Sequence, residues 1–397
     1  MTENNKFNII IIGGGLFVCG RGMAGNYGTI APAVIQKMKK EKDFHKCTFV
    51  TTSKKSLKQT KLKITNLSKI IKFNDLNKFN FYSLDEFTLG EIIKKTLPHF
   101  AIVSVPDHLH YKLTKFLLSR NIHCLVVKPL TLKVKEAKKL IELCEKKSLY
   151  GAVDFHKRYD TANQLIADDK NKKKLGNFLY AVIEYSQRKS NPLFFFKKWV
   201  SYSNVFNYLG VHYVDLIYFI TNFRPFSVTC WGQKSLLKKN KINTYDSMQV
   251  VVEWKKPDQT QFVSIHITNW IDSDNSSAVS DQKISIVGDQ GRVVSDQKNR
   301  GLQIVSDKNF IEDINPYFTQ NISYQNDNEF KGYGIKSITV YMDDIHSLLK
   351  GKVDLNDLVK NRPSFQNSLI STWVIEAARK SLNCNNKKII FNEKDFL

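Results

Sequence analysis

No two cysteines of this 397-residue chain form a C-x-x-C pair. The six that occur, Cys19, Cys47, Cys124, Cys144, Cys230 and Cys384, are scattered, so neither a zinc site nor a disulfide framework is indicated and no metal is expected. No apolar run is long enough to cross a bilayer, and the opening MTENNKF is not a signal peptide. A cytoplasmic protein without a membrane partner is the expectation. Acidic residues are scarce: 37 Asp and Glu against 60 Lys and Arg leave a formal charge of +23. Such an excess suits nucleic acid, an acidic membrane surface or an anionic substrate. The basic residues are nevertheless spread along a chain rich in Lys, Asn and Ile, with no block of interleaved aromatics, so nucleic acid is not an expected partner. The length allows two domains, each with its own core.

What is present in force is a glycine-rich turn behind a buried strand, Asn8 to Gly28. Ile9 to Ile12 form the continuous apolar run that a strand covered on both faces requires, and they run straight into Gly13, Gly14 and Gly15. Glycine permits a sharp turn and lets an anion approach the backbone. A strand, a glycine turn and a helix in this order form the phosphate-binding start of a dinucleotide fold. Gly13 and Gly15 fit the first two glycines of G-x-G-x-x-G, while Val18 holds the third position. Gly20, Gly22, Gly25 and Gly28 precede the helical run Thr29 to Lys40, which reads as an enlarged phosphate loop with Arg21 available to a phosphate oxygen. The alternative is a tight turn with no ligand.

Further strands are expected at Cys47 to Thr52, Asn80 to Tyr82, Phe100 to Val105, Cys124 to Val127 and Leu149 to Phe155, with helices between them. This alternation predicts a doubly wound parallel sheet. The second strand ends in Thr51, Thr52 and Ser53, followed by Lys54 and Lys55, where NAD-preferring folds place an acid. Hydroxyls and ammonium groups suit a 2′-phosphate better, which gives NAD(P) a slight lean to NADP. From Phe226 onward the segments VTCWG, MQVVVEW, FVSIHIT and KISIVG read as strands. In Phe262 to Thr268, Val263, Ile265 and Ile267 alternate with Ser264, His266 and Thr268, giving one apolar and one polar face. The polar segment Asn269 to Val279 reads either as an overhang of a substrate pocket or as an ordinary loop. Helices are expected at Ile335 to Leu349 and Ser364 to Leu382, the second with a buried stripe of Leu369, Trp373, Ala377 and Ser381.

At Val127-Lys128-Pro129 the chain resembles the glucose-fructose oxidoreductase/inositol dehydrogenase/MocA (Gfo/Idh/MocA) family of sugar and polyol dehydrogenases, whose fifth strand is followed by Glu-Lys-Pro. Phe155 to Asp160 (FHKRYD) is similar to the family's loop after the sixth strand. Leu209 to Leu216 (LGVHYVDL) is similar to Asp-x-Gly-x-His-x-x-Asp, with Tyr208 where the family has its aspartate. The resemblance covers nearly the whole chain. It implies an α/β protein: an N-terminal Rossmann doubly wound parallel sheet (1–130, binding NAD(P)) and a C-terminal α+β domain with an open, largely antiparallel sheet (131–397, for substrate and oligomerisation).

The activity implied is hydride transfer to or from a secondary hydroxyl or ketone of a sugar, polyol or nucleotide-sugar. The alternatives are an NAD-dependent glycosidase-like enzyme of the same fold and a non-catalytic dinucleotide sensor. Lys128 would hold the reacting oxygen and His212 would move its proton, with Tyr208 as the other candidate proton carrier. Expected cofactor contacts are Gly13, Gly15, Leu16, Phe17, Arg21, Thr52, Ser53, Lys54, Val105, Pro106, His110, Lys128 and Pro129. His156, Arg158 and Asp215 are the expected substrate contacts. A homo-oligomer built through the C-terminal sheet is also implied.

Overall fold

The computed structural model describes residues 6–21, 26–256, 258–307, 310–324 and 327–392; the expected loop glycines Gly22 and Gly25 lie outside them. The chain forms two compact units. The first comprises Met1–Leu130, Glu136–Tyr159 and Tyr317–Asn367; the second comprises Thr131–Lys135, Asp160–Pro316 and Ser368–Leu397. After residue 130 the chain thus returns to the first unit twice.

In chain order the elements begin β1 (Phe7–Ile12), α1 (Leu16–Cys19), α2 (Ile30–Lys40), β2 (Phe44–Thr51), α3 (Lys54–Ile71), β3 (Phe79–Ser83) and α4 (Leu89–Thr96). They continue with β4 (Phe100–Val103), α5 (His110–Leu118), β5 (His123–Val127), α6 (Val134–Lys147), β6 (Gly151–Asp154), α7 (Thr161–Ala167), α8 (Asp169–Leu175) and β7 (Phe178–Arg188). Next come α9 (Val211–Thr221), β8 (Arg224–Gln233), α10 (Leu236–Lys239), β9 (Ser247–Lys255), β10 (Gln261–Asp272), β11 (Ser280–Gly288) and β12 (Arg292–Asp296). The last are β13 (Gln303–Ser306), β14 (Phe310–Asp313), β15 (Gln320–Tyr324), β16 (Asp327–Lys331), α11 (Tyr333–Leu349), α12 (Leu355–Asn361), α13 (Phe365–Asn383) and β17 (Ile389–Ile390).

The first unit is a doubly wound Rossmann sheet of six strands in the order β3-β2-β1-β4-β5-β6, with every pairing parallel. The isoleucine run of β1 is fully buried between β2 and β4, as a strand with both faces covered must be. Ile9 and Ile11 share one core with Ala31, Val34 and Ile35 of α2 and with Ile338, Met342 and Ile345 of α11. All strand carboxyl ends lie along one edge, where open parallel sheets bind their ligands.

The second unit is α+β. Its seven-stranded sheet, β12-β11-β7-β10-β9-β8-β17, is antiparallel throughout except for the β7–β10 pair. The alternation along β10 is inverted relative to simple expectation: Ser264, His266 and Thr268 face inward, fully buried, while Val263, Ile265 and Ile267 are only half-buried. The polar face tolerates burial because most of its groups, His266 Nδ1 excepted, are hydrogen-bonded. Trp254 Nε1 donates to Ser264 Oγ (2.8 Å), which lies 2.9 Å from His266 Nε2, and Thr268 Oγ1 donates to the Met248 carbonyl (3.1 Å). Burial also brings the His266 pKa down to about 3, so the imidazole is neutral and no buried charge needs a partner.

The stripe Leu369, Trp373, Ala377 and Ser381 of α13 is buried, and Ser381 Oγ accepts the backbone N–H of Cys230 (3.0 Å). The periodicity reading gives no bounds for α3, which follows β2, nor for the short α12. Among the described residues no helix is long and apolar enough to cross a membrane, and no cluster of His, Cys, Asp and Glu could hold a metal ion.

Candidate active site

The glycine turn at the end of β1 divides into two kinds of position. Gly13 has φ +122°, and a Cβ there would lie 2.0 Å from the Ser104 carbonyl oxygen; at Gly14 it would lie 2.3 Å from Thr60 Oγ1. These two are glycine because the protein itself leaves no room. Gly15, at the head of α1, has ordinary extended backbone and open space where a side chain would project. Nothing within the protein requires glycine there, and its absent side chain leaves the backbone of the turn open to an approaching anion. Leu16 and Phe17 open α1. Arg21 is tied back through its N–H to the Asn26 carbonyl (3.1 Å), and Lys63 of α3 adds a further cation, its Nζ donating to the Gly20 carbonyl (2.6 Å).

At the end of β2 two of the groups expected to receive a 2′-phosphate, Ser53 and Lys54, are already engaged, while Lys55 is exposed. Ser53 Oγ caps α3 by accepting from Ser56 N (3.2 Å), and Lys54 Nζ pairs with Glu86 Oε1 (2.9 Å). Asp85 Oδ2 accepts the Lys54 backbone N–H (3.1 Å) and Ser83 Oγ donates to Glu86 Oε2 (3.0 Å). Two carboxylates thus reach the end of β2 from the end of β3, the neighbouring strand. Thr52 is exposed beside them.

After β4, Val105 and Pro106 lead into α5. His110 is fully buried, with Nδ1 2.6 Å from the Pro129 carbonyl and Nε2 2.9 Å from the Val105 carbonyl. Both ring nitrogens are engaged inside the protein, so His110 clamps the loops after β4 and β5 together. Burial moves its pKa below the usual histidine value, against the pull of Asp107. The Lys128–Pro129 peptide is cis. Lys128 leaves the carboxyl end of β5 in a half-buried position; burial brings its pKa down to about 8, with Asp107 and Asp154 acting in the opposite direction.

His156 and Arg158, expected to contact a substrate, form a buried helical turn with Lys157 between them. The His156 ring is enclosed by Phe17, Phe318 and Tyr333, at centroid distances of 6.0, 5.2 and 5.7 Å, and its Nδ1 lies 3.8 Å from Asp154 Oδ2. Sequence reasoning passed over Asp107 and Asp154, because neither belongs to a motif.

In the second unit, His212 and Asp215 lie in the first turns of α9, three residues apart and both buried, on neighbouring positions of one helix face. Four residues apart in the chain, Tyr208 and His212 would lie one turn from each other on an α-helix. Tyr208 instead belongs to a π-helical turn, Phe206–Gly210, so the α-helical spacing does not carry across to His212. Gly210 is required because a Cβ would lie 2.1 Å from the Phe206 ring. The Tyr208 ring packs among Phe196, Trp199 and Trp270 at 5.0, 5.7 and 5.6 Å. The aspartate position of the motif is thereby filled by one member of an aromatic cluster.

Residues 7–155 match the model of the Gfo/Idh/MocA oxidoreductase family, NAD-binding Rossmann fold. Over those residues the chain is similar to that family's NAD-binding domain. Solved structures of similar fold include a putative myo-inositol dehydrogenase from Sinorhizobium meliloti (13% identity, 98% of this chain and 100% of that one, TM-score 0.66). Others are myo-inositol 2-dehydrogenase from Lactobacillus plantarum (14%, 98% and 100%, TM-score 0.67) and GenD2 from gentamicin A biosynthesis in complex with NAD (16%, 98% and 97%, TM-score 0.65). At such identities the likeness is one of fold. No curated protein sequence matches the chain. The matched segment thus carries the glycine turn, the loops clamped by His110, and Lys128 with Asp107 and Asp154, all in one unit.

Proposed function

We propose that the chain is an NAD-dependent dehydrogenase or reductase acting on a secondary hydroxyl or ketone of a sugar, polyol or nucleotide-sugar. The observation that carries this reading is Lys128: a lysine at the carboxyl end of β5, in the same unit as the glycine turn, with its pKa brought down to about 8. When bound, the dinucleotide supplies or takes the hydride. Gly13 to Phe17 receive the pyrophosphate, and Val105 and Pro129, held by His110, border the rest of the cofactor. The Lys128 ammonium holds the substrate oxygen and stabilises negative charge developing on it. His212 takes or returns the hydroxyl proton with Asp215 orienting its ring, and Tyr208 offers a stacking face to the substrate. Following NAD(P)H absorbance across sugars, polyols and nucleotide-sugars tests the reading. Release of a leaving group without net cofactor change would favour a glycosidase-like reaction, and cofactor binding without any turnover would favour a sensor.

For the cofactor, engagement of Ser53 and Lys54 together with the carboxylates of Asp85 and Glu86 favours NAD over NADP, reversing the lean drawn from the end of β2 alone. Fluorescence titration is expected to give tighter binding of NADH than of NADPH, and Glu86→Gln should narrow the gap by freeing Lys54 and removing a like charge. Equal affinities in the parent protein would sink this assignment.

For assembly, we propose that a second copy covers the outer face of the seven-stranded sheet. Val182, Val251, Val263, Ile265 and Ile267 share that face with Glu184, Glu253 and Lys283, so two copies related by a two-fold axis can set acid against base around an apolar centre. Sedimentation velocity is expected to show an oligomer that Ile265→Lys dissociates; a monomeric parent protein would refute it.

A further inference from the structure

Three adjacent strands, β4, β5 and β6, end side by side at the ligand edge of the first sheet. Lys128 follows the middle one. Asp107 stands just beyond the end of β4, and Asp154 closes β6, where it is the register partner of Val127. Two carboxylates therefore flank the lysine from the strands on either side. Both are almost wholly buried, at 5% and 3% exposure, and a buried carboxylate is costly without a cation or donors. Asp154 Oδ1 accepts from Ser337 Oγ of α11, and its Oδ2 faces His156 Nδ1 at 3.8 Å. His156 is not the cation that balances it, because burial moves its pKa below the usual histidine value and leaves the ring neutral.

We propose that Asp107 and Asp154 are positioning residues for Lys128: a pair of carboxylates that hold its ammonium charged and aimed at the ligand edge of the sheet. This rests on the reading of Lys128 as the group that holds the substrate oxygen. Burial alone works against the ammonium, and the two carboxylates are the groups that oppose it. The other titratable neighbours are His110 at the head of α5 and His156 and Lys157 after β6; the histidines are neutral and Lys157 acts on His156. The aromatic enclosure of His156 by Phe17, Phe318 and Tyr333 fixes the backbone that carries Asp154, and Ser337 fixes its carboxyl rotamer.

The sign of the effect follows. Replacing either carboxylate with its amide removes a charge that favours the ammonium, so the lysine loses its proton at lower pH. The working form is the ammonium, so activity that falls as pH rises through the Lys128 pKa should fall earlier in the variants.

The test is the pH dependence of Lys128 acetylation by acetic anhydride, followed by peptide mass spectrometry, in the full-length protein and in Asp154→Asn and Asp107→Asn. Each variant is expected to lower the midpoint by about one unit, the lower end of what a neighbouring opposite charge gives. The alkaline limb of kcat/KM for a substrate found in the screen should move the same way, while the dissociation constant of NADH should stay within about threefold of the parent value. An unchanged midpoint in both variants overturns the proposal whatever the protein's activity. If Asp154→Asn fails to fold, Asp107→Asn and Ser337→Ala decide, the latter with a smaller shift of the same sign. A shifted midpoint together with full activity in Lys128→Ala would instead leave the carboxylate pair standing and refute Lys128 as the holder of the substrate oxygen.

Discussion

His212→Ala is expected to lower turnover of a confirmed substrate by about two to four orders of magnitude, the usual contribution of a positioned acid–base group. His212 is 4% exposed in the first turn of α9 with Asp215 on the same helix face, an arrangement that suits a histidine holding one tautomer and one orientation. Tyr208→Phe should cost far less. The Tyr208 ring is packed against Phe196, Trp199 and Trp270, and phenylalanine preserves those contacts while removing only the hydroxyl. Neither change should alter cofactor affinity, because both residues belong to the second unit and the glycine turn to the first. The reverse ranking, with Tyr208→Phe nearly inactive and His212→Ala active, would transfer proton movement to the tyrosine. Full turnover in both variants and in Lys128→Ala would refute the whole assignment.

Gly13→Ala and Gly15→Val are expected to fail in different ways. At Gly13 the backbone is in a region that side chains rarely adopt, and the new Cβ would lie 2.0 Å from the Ser104 carbonyl oxygen. Relief of that clash must displace the end of β1 from the start of the loop after β4, where Ser104 N donates to the Ile12 carbonyl (2.9 Å). A loss of about 3 kcal/mol or more in unfolding free energy is expected, combining left-handed strain with a backbone clash. At Gly15 a side chain meets nothing within 4 Å and the backbone is already extended. Gly15→Val should therefore unfold within about 1 kcal/mol of the parent, the ordinary range for an exposed cap position. Its NADH affinity should nevertheless fall by about tenfold or more, since the branched side chain stands where the pyrophosphate approaches the backbone. Urea denaturation and fluorescence titration separate the two effects. Unchanged NADH binding in Gly15→Val would mean that the turn is not the phosphate site.

The helix expected at Ile335 to Leu349 and the buried stripe of α13 were legible residue by residue, because helical periodicity is a property of the local chain. The helix α3 was less so, since of its first eight residues only Leu57 is apolar. The strand β10 shows a subtler limit. Its alternation was correctly read, but alternation does not say which face is covered; the polar face is the buried one because Trp254, Ser264 and His266 bond one another. Likewise, the spacing from Tyr208 to His212 is four whether the intervening turn is α or π, and the packing of Phe206 over Gly210 accompanies the π form.

By itself the sequence determined the α/β architecture, the glycine turn behind the isoleucine strand, and the candidates Lys128 and His212, because each rests on residues adjacent in the chain or on a short motif. Only the tertiary structure decided which charges surround them. Asp85 and Glu86 reach the end of β2, and Asp107 and Asp154 flank Lys128, because a parallel sheet gathers at one edge the ends of strands that are tens of residues apart. No local pattern records that neighbourhood; it exists only once the strands are in register.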